Sequence, residues 1–232
     1  MRGLVLGCYL FLCALLVRAE DMPGALKWID GGFAPQGADF SVVFEFSDLK
    51  LNPGKAGPVA EWSGPKGVAA HLEMCSVKWP MGLSDGTLAT VRLNVTNPTA
   101  DVLHTTLSVR IAPERGIRAL AFDRHSFLIG NHLILISDTP SRGAILADSS
   151  FAARPLTPQD QAHVESAKGE CRGEMLFDLT LPPGQTQTLG FICPAQLPPG
   201  REPDLDFYRE LSVDKLFTEA QKQREASDGK KP

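Results

Sequence analysis

Residues 88–111 alternate strictly between apolar and polar side chains on both sides of a polar turn. Val91, Leu93 and Val95 form the first apolar row, and a second row of the same period follows the turn at Asn97. Alternate residues of a strand face the same side of a sheet, so the pattern predicts two strands, each with one buried and one wet face. Because Asn and Pro favour tight turns, we expect an antiparallel hairpin. A sheet with one wet face needs a second layer over its apolar face, which predicts a β-sandwich.

Further strands are predicted on both sides of this stretch. Residues 40–46 alternate with period two, and the pair at 130–131, Gly-Asn between two apolar runs, is typical of a two-residue hairpin turn. A second long hairpin is predicted over residues 173–193, with a turn rich in Pro and Gly. Together these patterns predict an all-β fold, a large antiparallel β-sandwich of about ten or more strands over residues 20–200 with a short C-terminal helix.

The first 19 residues have the features of a secretory signal peptide. Arg2 gives a positive start, residues 4–17 are largely apolar, and small side chains precede a cleavage site after Ala19. The apolar run is shorter than the roughly 20 residues that span a bilayer, and no later apolar segment is long enough. We therefore expect a signal peptide over residues 1–19, a secreted or periplasmic protein and no membrane span.

Charge and motifs exclude several classes of function. Cleavage after Ala19 would remove Arg2 and Arg18 and change the formal net charge from −4 to −6. Proteins that bind nucleic acids carry a basic surface, so no nucleic-acid partner is expected. The sequence also lacks the G-x-S-x-G, Walker A, G-x-G-x-x-G and H-E-x-x-H motifs of common hydrolases, nucleotide-binding proteins and zinc peptidases. No catalytic residue and no cofactor are predicted.

Asp123, His125 and His132 are the best group of metal-ligating residue types in the chain. They lie at the two ends of a predicted hairpin, where a metal site is geometrically feasible. Asp and His are also common at hairpin ends for reasons of turn chemistry alone. We favour solvated turn residues here and predict no metal site.

Cysteine positions predict one disulfide. Cys75, Cys171 and Cys193 remain after cleavage of the signal peptide, and an oxidising compartment favours one bridge with one thiol left over. Cys171 and Cys193 flank the hairpin predicted over residues 173–193. They miss cross-strand register by about three residues, which a β-bulge could absorb. A Cys171–Cys193 disulfide is therefore the predicted pair.

The C-terminal segment predicts a linker, a helix and a tail. The composition becomes rich in Pro at residues 196–200, and Asp204 can cap a helix. We place the linker and helix at residues 201–222 and a disordered tail at residues 223–232. A helix of this length is marginal alone in water, so its apolar stripe must pack on something. We expect the stripe to lie against the sandwich in the isolated chain and to contact a helical partner when one is present; its residues, the docking candidates, are Leu205, Tyr208, Leu211, Leu216 and Phe217.

Four short motifs follow one another over about residues 88–200: N-V-T-N-P-T, A-L-A-F-D, P-L-T-P and G-E-M-L-F-D-L-T-L-P-P-G-Q-T-Q-T-L-G-F. In this order they resemble the N-terminal, supersandwich-like β-sandwich that precedes the (α/α)6 barrel in bacterial glycosidase-like proteins. The resemblance implies that a helical barrel after the sandwich carries the catalytic acid and base. This chain ends where the barrel would begin, so we expect either a stand-alone sandwich or one part of a larger or split protein.

The resemblance implies a non-catalytic secreted module associated with carbohydrate processing, which docks to a helical-barrel glycosidase-like partner or domain. Two other functions stay open: an independent secreted ligand-binding or adhesion sandwich, and a degenerate hydrolase. A helical-barrel glycosidase encoded immediately downstream would favour docking, and its absence would favour the independent sandwich.

Three tryptophans, Trp28, Trp62 and Trp79, are candidates for stacking on sugar rings. Their flat apolar faces match the C–H faces of pyranoses. Packing in the core or between the sheets is the alternative, because a tryptophan side chain buries a large area. Carbohydrate is thus a predicted ligand, with these three residues as the stacking candidates.

Overall fold

The computed structural model describes residues 26–54, 57–81, 84–114, 116–123, 125–129, 132–147, 154–156, 161–196 and 204–228. The predicted signal peptide, most of the predicted linker and the last four residues of the predicted tail lie outside these ranges. The strands are β1 Leu26–Ile29, β2 Gly32–Pro35, β3 Phe40–Phe46, β4 Lys50–Leu51, β5 Val59–Ser63, β6 Ala69–Met81, β7 Ser84–Thr96, β8 Leu103–Pro113, β9 Ala119–Asp123, β10 Ser126–Ile129, β11 His132–Ser137, β12 Gly143–Ala147, β13 Arg154–Leu156, β14 Gln161–Glu165, β15 Arg172–Leu181 and β16 Thr186–Gln196. Two helices follow, α1 Leu205–Arg209 and α2 Val213–Asp228.

The strands form two antiparallel sheets. A seven-stranded sheet has the order β1-β2-β3-β8-β15-β12-β13, and a nine-stranded sheet has the order β14-β9-β10-β11-β16-β7-β6-β5-β4. The predicted all-β sandwich with helical structure at its C-terminal end is confirmed.

The two predictions of a long hairpin are both wrong. β7 pairs with β6 and β16 in the nine-stranded sheet, whereas β8 pairs with β3 and β15 in the other sheet. In the same way, β15 and β16 lie in different sheets. Residues 97–102 and 182–185 are therefore links that cross from one sheet to the other. The short hairpin of β10 and β11 is confirmed, because Ile129 pairs with His132.

Apolar side chains from both sheets meet in a single core. Phe191 of β16 contacts Phe44 of β3 and Phe177 of β15, with ring centroids 5.2 and 5.6 Å apart and the rings close to perpendicular. Edge-to-face contacts of this kind place the positive edge of one ring on the negative face of the next. Phe191 thus joins the centres of the two sheets.

Part of the nine-stranded sheet is buried on both faces. A second cluster of buried residues lies on its outer face, where Tyr208 of α1 and Leu216 of α2 pack over Val77, Leu88 and Ile192. This explains the unbroken burial of residues 133–137 and 189–193, which alternation alone does not predict. The helices therefore form a third layer over part of the sandwich.

The C-terminal segment forms two helices rather than one. Asp204 caps α1 as predicted, because its Oδ1 accepts a hydrogen bond from the Phe207 amide (3.1 Å). The helical structure is interrupted at residues 210–212. Ser212 caps α2, because its hydroxyl oxygen accepts a hydrogen bond from the Lys215 amide (3.5 Å). The predicted disorder from residue 223 is wrong as far as Asp228, since α2 continues to that residue.

Gln223 fixes the far end of α2 to the edge of the sheet. β5 pairs with β6 only as far as Glu73, so the backbone of Lys78 on that side is not paired with a strand. The Gln223 side-chain amide donates to the Lys78 carbonyl (2.9 Å) and accepts from the Lys78 amide (3.1 Å). One side chain thus replaces the missing strand partner.

Candidate binding face

The helices cover only part of the outer face of the nine-stranded sheet, and the remaining part carries polar side chains. Glu61 of β5 pairs with His71 of β6, His71 pairs with Asn94 of β7, and Asn94 pairs with Thr188 of β16. The next residues on this side of β6 and β7 are Glu73 and Arg92, which also pair. We call these six residues the polar face: Glu61, His71, Glu73, Arg92, Asn94 and Thr188.

Hydrogen bonds and ion pairs hold the polar face in position. The His71 ring lies between two carboxylates, with Nδ1 3.4 Å from Glu61 Oε1 and Nε2 3.3 Å from Glu73 Oε1. Thr188 donates its hydroxyl to Asn94 Oδ1 (2.7 Å). The side chains are thus fixed across four neighbouring strands.

Arg92 connects the polar face to helix α2. Its Nη2 donates to Glu73 Oε2 (2.7 Å), and its Nη1 lies 3.5 Å from Asp214 Oδ1. The guanidinium carbon is 4.5 Å from the centroid of the Phe217 ring, which is a cation–π contact. Its buried Nε has no hydrogen-bond acceptor among the described residues.

The electrostatics of this group keep Glu73 ionised. Burial by itself raises the pKa of Glu73, but the hydrogen bond and charge of Arg92, together with His71, outweigh it. The net pKa of Glu73 is below its usual value. Glu73 is therefore a hydrogen-bond acceptor at neutral pH and does not have the raised pKa of a general acid.

A cavity of about 180 Å³ lies at the edge where the turn between β1 and β2 approaches β4 and β5. Its apolar wall includes Leu51 and Val59, which are 38% and 39% exposed. Leu51 pairs with Trp62, whose side chain faces the core, so the Leu51 side chain lies on the inner side of the sheet. Glu61 is the residue that the cavity lining and the polar face share.

The outer face of the seven-stranded sheet carries polar pairs that satisfy one another. Arg142 donates to Asp178 (2.9 Å), and Ser108 donates to Glu174 (2.5 Å). The hydrogen bond from Arg142 is the main cause that holds the pKa of Asp178 below its usual value. Another cross-strand ion pair joins Arg110 and Glu45. This face is the solvated side expected from the alternation in β8.

The stacking candidates do not share one surface. Trp62 is 2% exposed and packs against Phe46, with ring centroids 5.6 Å apart, so the sugar-stacking prediction is wrong for Trp62. Alternate residues of β5 face opposite sides of the sheet, and Trp62 is on the side that faces the core. Trp28 is half-buried against the core between the sheets, and Trp79 is half-buried against the cluster beneath the helices. For these two residues, sugar stacking stays a prediction.

The docking candidates lie on the sandwich, as predicted for the isolated chain. Tyr208 and Leu216 are buried in the cluster on the nine-stranded sheet. Leu205, Leu211 and Phe217 pack against the same cluster but stay partly exposed. The apolar stripe thus has buried anchors and an accessible rim.

The predicted Cys171–Cys193 disulfide is not formed. Both residues are buried thiols; the Cys171 thiol donates to the Val164 carbonyl (3.5 Å), and Cys193 lies in the core between the sheets. The prediction assumed that the strands flanked by these cysteines form a hairpin, which they do not. Burial raises the pKa of Cys193 and raises the pKa of Cys75 to about 12. Neither of these thiols has the lowered pKa of a reactive cysteine.

Metal-ligating residue types do not gather in the part of the chain that the structure describes. No group of three or more His, Cys, Asp or Glu residues there could hold an ion. Asp123, a candidate considered above, has Oδ2 3.7 Å from Arg209 Nη2. That contact ties β9 to α1 instead. Among the described helices, none combines the length and the apolar character needed to cross a bilayer.

Sequence reasoning did not identify the polar face. Its residues come from four separate strands, and local alternation places each residue on the outward side without saying which strands are neighbours. The register of β6 with β7, which places Glu73 opposite Arg92, was the missing information.

Comparison with known proteins adds no family to this description. No protein-family model matches the chain, and no curated protein matches it at a significant level. The function must therefore be argued from the surfaces themselves.

Proposed function

We propose that this chain is a non-catalytic, secreted β-sandwich module of a carbohydrate-processing system, which docks to a helical-barrel glycosidase-like protein or domain. The observation that supports this proposal is the difference between the two outer faces. The nine-stranded sheet has an apolar outer face that packs helices, whereas the described part of the seven-stranded sheet is covered by polar pairs.

The contact between helix and sheet is close. The Gly190 amide donates to Asp138 Oδ1 (2.8 Å), and a Cβ atom at position 190 would overlap the Asp138 carboxylate and the Val213 side chain. Only glycine therefore allows α2 to approach β16 as it does. Such an approach is typical of a packed interface rather than of a loosely attached tail.

The rim of this helical layer offers an apolar surface to a further partner. Leu205, Phe207, Leu211 and Phe217 pack on the cluster but stay partly exposed. They lie in α1, at the break between the helices and on the first turns of α2. Helices pack on one another through apolar ridges of this kind. A helical barrel placed beside α1 would extend the same layer over the sheet.

The described carboxylates favour a non-catalytic role. Glycoside hydrolysis needs one carboxyl group with a raised pKa as the acid. The pKa values of Glu73 and Asp178 are instead lowered, because Arg92 and Arg142 bind them. Both carboxylates serve as partners of arginine.

Co-elution tests the docking proposal. The tagged full chain is mixed with the helical-barrel protein encoded beside its gene, and the mixture is analysed by size-exclusion chromatography. We expect one complex, and we expect the double variant Leu211→Ser/Phe217→Ser to lose it while circular dichroism stays unchanged. The control is Lys215→Ser/Lys222→Ser on the exposed side of α2, which should retain the complex.

Three results would contradict the proposal. The first is the absence of any such neighbouring reading frame, the second is separate elution of the two proteins, and the third is an unaffected complex in the double variant. Turnover of a glycoside by the chain alone, abolished by Glu73→Gln, would overturn the non-catalytic part.

The second candidate function is an independent secreted sandwich that binds a ligand or takes part in adhesion. The cavity beside Leu51 favours this alternative, because ligand sites are typically concave. Ligand binding by a chain that has no helical-barrel partner would select it.

A further inference from the structure

We propose that the polar face binds a neutral oligosaccharide of pyranose units. This inference rests on the proposed role in carbohydrate processing and assigns that role a site, which none of the three tryptophans defines.

The shape and exposure of the polar face suit an extended ligand. Glu61, His71, Asn94 and Thr188 lie side by side on four neighbouring strands. With strands about 4.8 Å apart, the row is about 14 Å long. Glu61 and His71 are 59% and 38% exposed at their side chains. A flat row of this length fits an extended short oligosaccharide better than a compact ligand.

The polar face offers both hydrogen-bond donors and acceptors. Sugar hydroxyl groups both donate and accept, so they need neighbouring donors and acceptors. Glu61 and Glu73 present carboxylate oxygens as acceptors. Asn94 accepts from Thr188 through Oδ1, which leaves its Nδ2 group as the end that can donate to a ligand. Because ion pairs already fix these side chains, binding loses little side-chain entropy.

Apolar side chains flank the polar face. The Phe217 ring lies beside Arg92, where helix α2 borders the face, and Val59 of β5 pairs with Glu73 and is 39% exposed. Sugar rings carry apolar C–H faces together with their hydroxyl groups. A site for a chain of such rings combines apolar contacts with a few fixed polar groups.

Charge selects the ligand class. Among the described residues, the polar face carries the carboxylates of Glu61 and Glu73 and the guanidinium of Arg92, and Asp214 adds a third carboxylate beside Arg92. Uronic-acid and sulfated polymers would be repelled by this field. The predicted ligand is therefore neutral.

Isothermal titration calorimetry with the full chain tests the site. The neutral probes are cellohexaose, laminarihexaose, xylohexaose and mannohexaose, and hexagalacturonic acid is the anionic probe. We expect at least one neutral probe to bind and the anionic probe not to bind. His71→Ala/Asn94→Ala should weaken binding by about tenfold or more.

His104→Ala is the matched control, because His104 is an exposed histidine on the other sheet that contacts Thr180 (3.2 Å). It should bind the neutral probe as the unaltered chain does. Asn94→Ala alone removes the Nδ2 donor from a half-exposed side chain, so it should also weaken binding while keeping the fold. This second variant keeps the test decisive if the double variant unfolds.

The outcomes separate the site from the docking role. Failure of every neutral probe to bind, binding that survives both polar-face variants, or tighter binding of hexagalacturonic acid would each overturn the site. If the partner complex forms in the same preparations, the docking role stands and only the site fails. If a neutral probe binds but no partner complex forms, the docking role fails and the site stands.

Discussion

At the scale of single residues, Arg92 decides how the polar face behaves. Its positive charge compensates the negative charge of Glu73, and it connects the sheet to α2 through Asp214 and Phe217. Each contact is partly exposed, and a partly exposed ion pair contributes little by itself. Their combination on one guanidinium is what keeps the polar face and the helix in a fixed relation.

Glu73→Gln is expected to change the pH dependence of stability. The folded pKa of Glu73 lies below its usual value of about 4.3, so the unfolded chain binds more protons between the two values. The stabilisation from ionised Glu73 is complete above about pH 5 and is lost as the pH falls through the lowered pKa. The difference in free energy of unfolding between the two proteins should thus be largest at pH 7 and should shrink in acid.

Urea denaturation at a series of pH values measures this difference. Glu225→Gln on α2 is the control, since the Glu225 carboxylate accepts a hydrogen bond from Gln221 of the same helix (3.0 Å) and is exposed. A difference for Glu73→Gln that stays constant from pH 7 to acid would contradict the role of Arg92 in holding this carboxylate.

At the scale of elements, the helical layer depends on a few buried side chains. Leu216 of α2 is fully buried against the nine-stranded sheet. Leu216→Ala should lower the free energy of unfolding by about 3 kcal/mol, because it removes apolar contact and leaves a cavity. Amide hydrogen exchange should speed up through α1 and α2 together, while β7 and β16 stay protected.

Lys215→Ala is the neighbouring control, and its exposed side chain should make it neutral within about 0.5 kcal/mol. Unchanged exchange in α2 of the Leu216→Ala protein would show that the helix does not depend on this contact.

Some elements could be predicted from local sequence signals alone. The Asp204 cap and the pairing of β10 with β11 depend on neighbouring residues only, and both predictions are confirmed. The predicted turn residues, 130–131, lie outside the described residues. The break at Ser212 was missed, although Ser at a cap position is a local signal, because the apolar stripe continues across it. The outward side of β8 was predicted correctly, yet its partner strand was not. Alternation fixes which face of a strand is buried but is the same for a hairpin and for a link between sheets.

At the scale of the whole molecule, the two sheets differ in what covers their outer faces. Residues 133–137 and 189–193 are buried without alternation, and this is the sequence signal for a strand covered on both sides. These apolar runs were interpreted as strands without a second covering layer, so the helix was placed on the sandwich without identifying the sheet that it covers. The polar face was missed for the same reason, because both depend on strand order.

The same topology buries the side chain of Asn97, which hydrogen-bonds to both links between the sheets. Its Nδ2 donates to the carbonyls of Leu181 (2.9 Å) and Pro182 (3.2 Å) in one link and of Asp101 (2.9 Å) in the other, and the side chain is buried. Asn97→Ala removes a buried hydrogen bond to the Leu181 carbonyl and two part-buried ones, so we expect a loss of about 3 kcal/mol in the free energy of unfolding, measured by urea denaturation.

The matched control for this prediction is Asn94→Ala on the same strand. Asn94 lies on the half-exposed polar face and accepts one hydrogen bond from Thr188, so its replacement should cost under about 1 kcal/mol. Because Asn97 joins the two sheets and not the strands of one sheet, its loss should lower the stability of β8 and β16 together, as measured by amide exchange. Equal costs for the two variants, or a loss of protection confined to residues 97–102, would mean that the links are held by the strands they connect and not by Asn97.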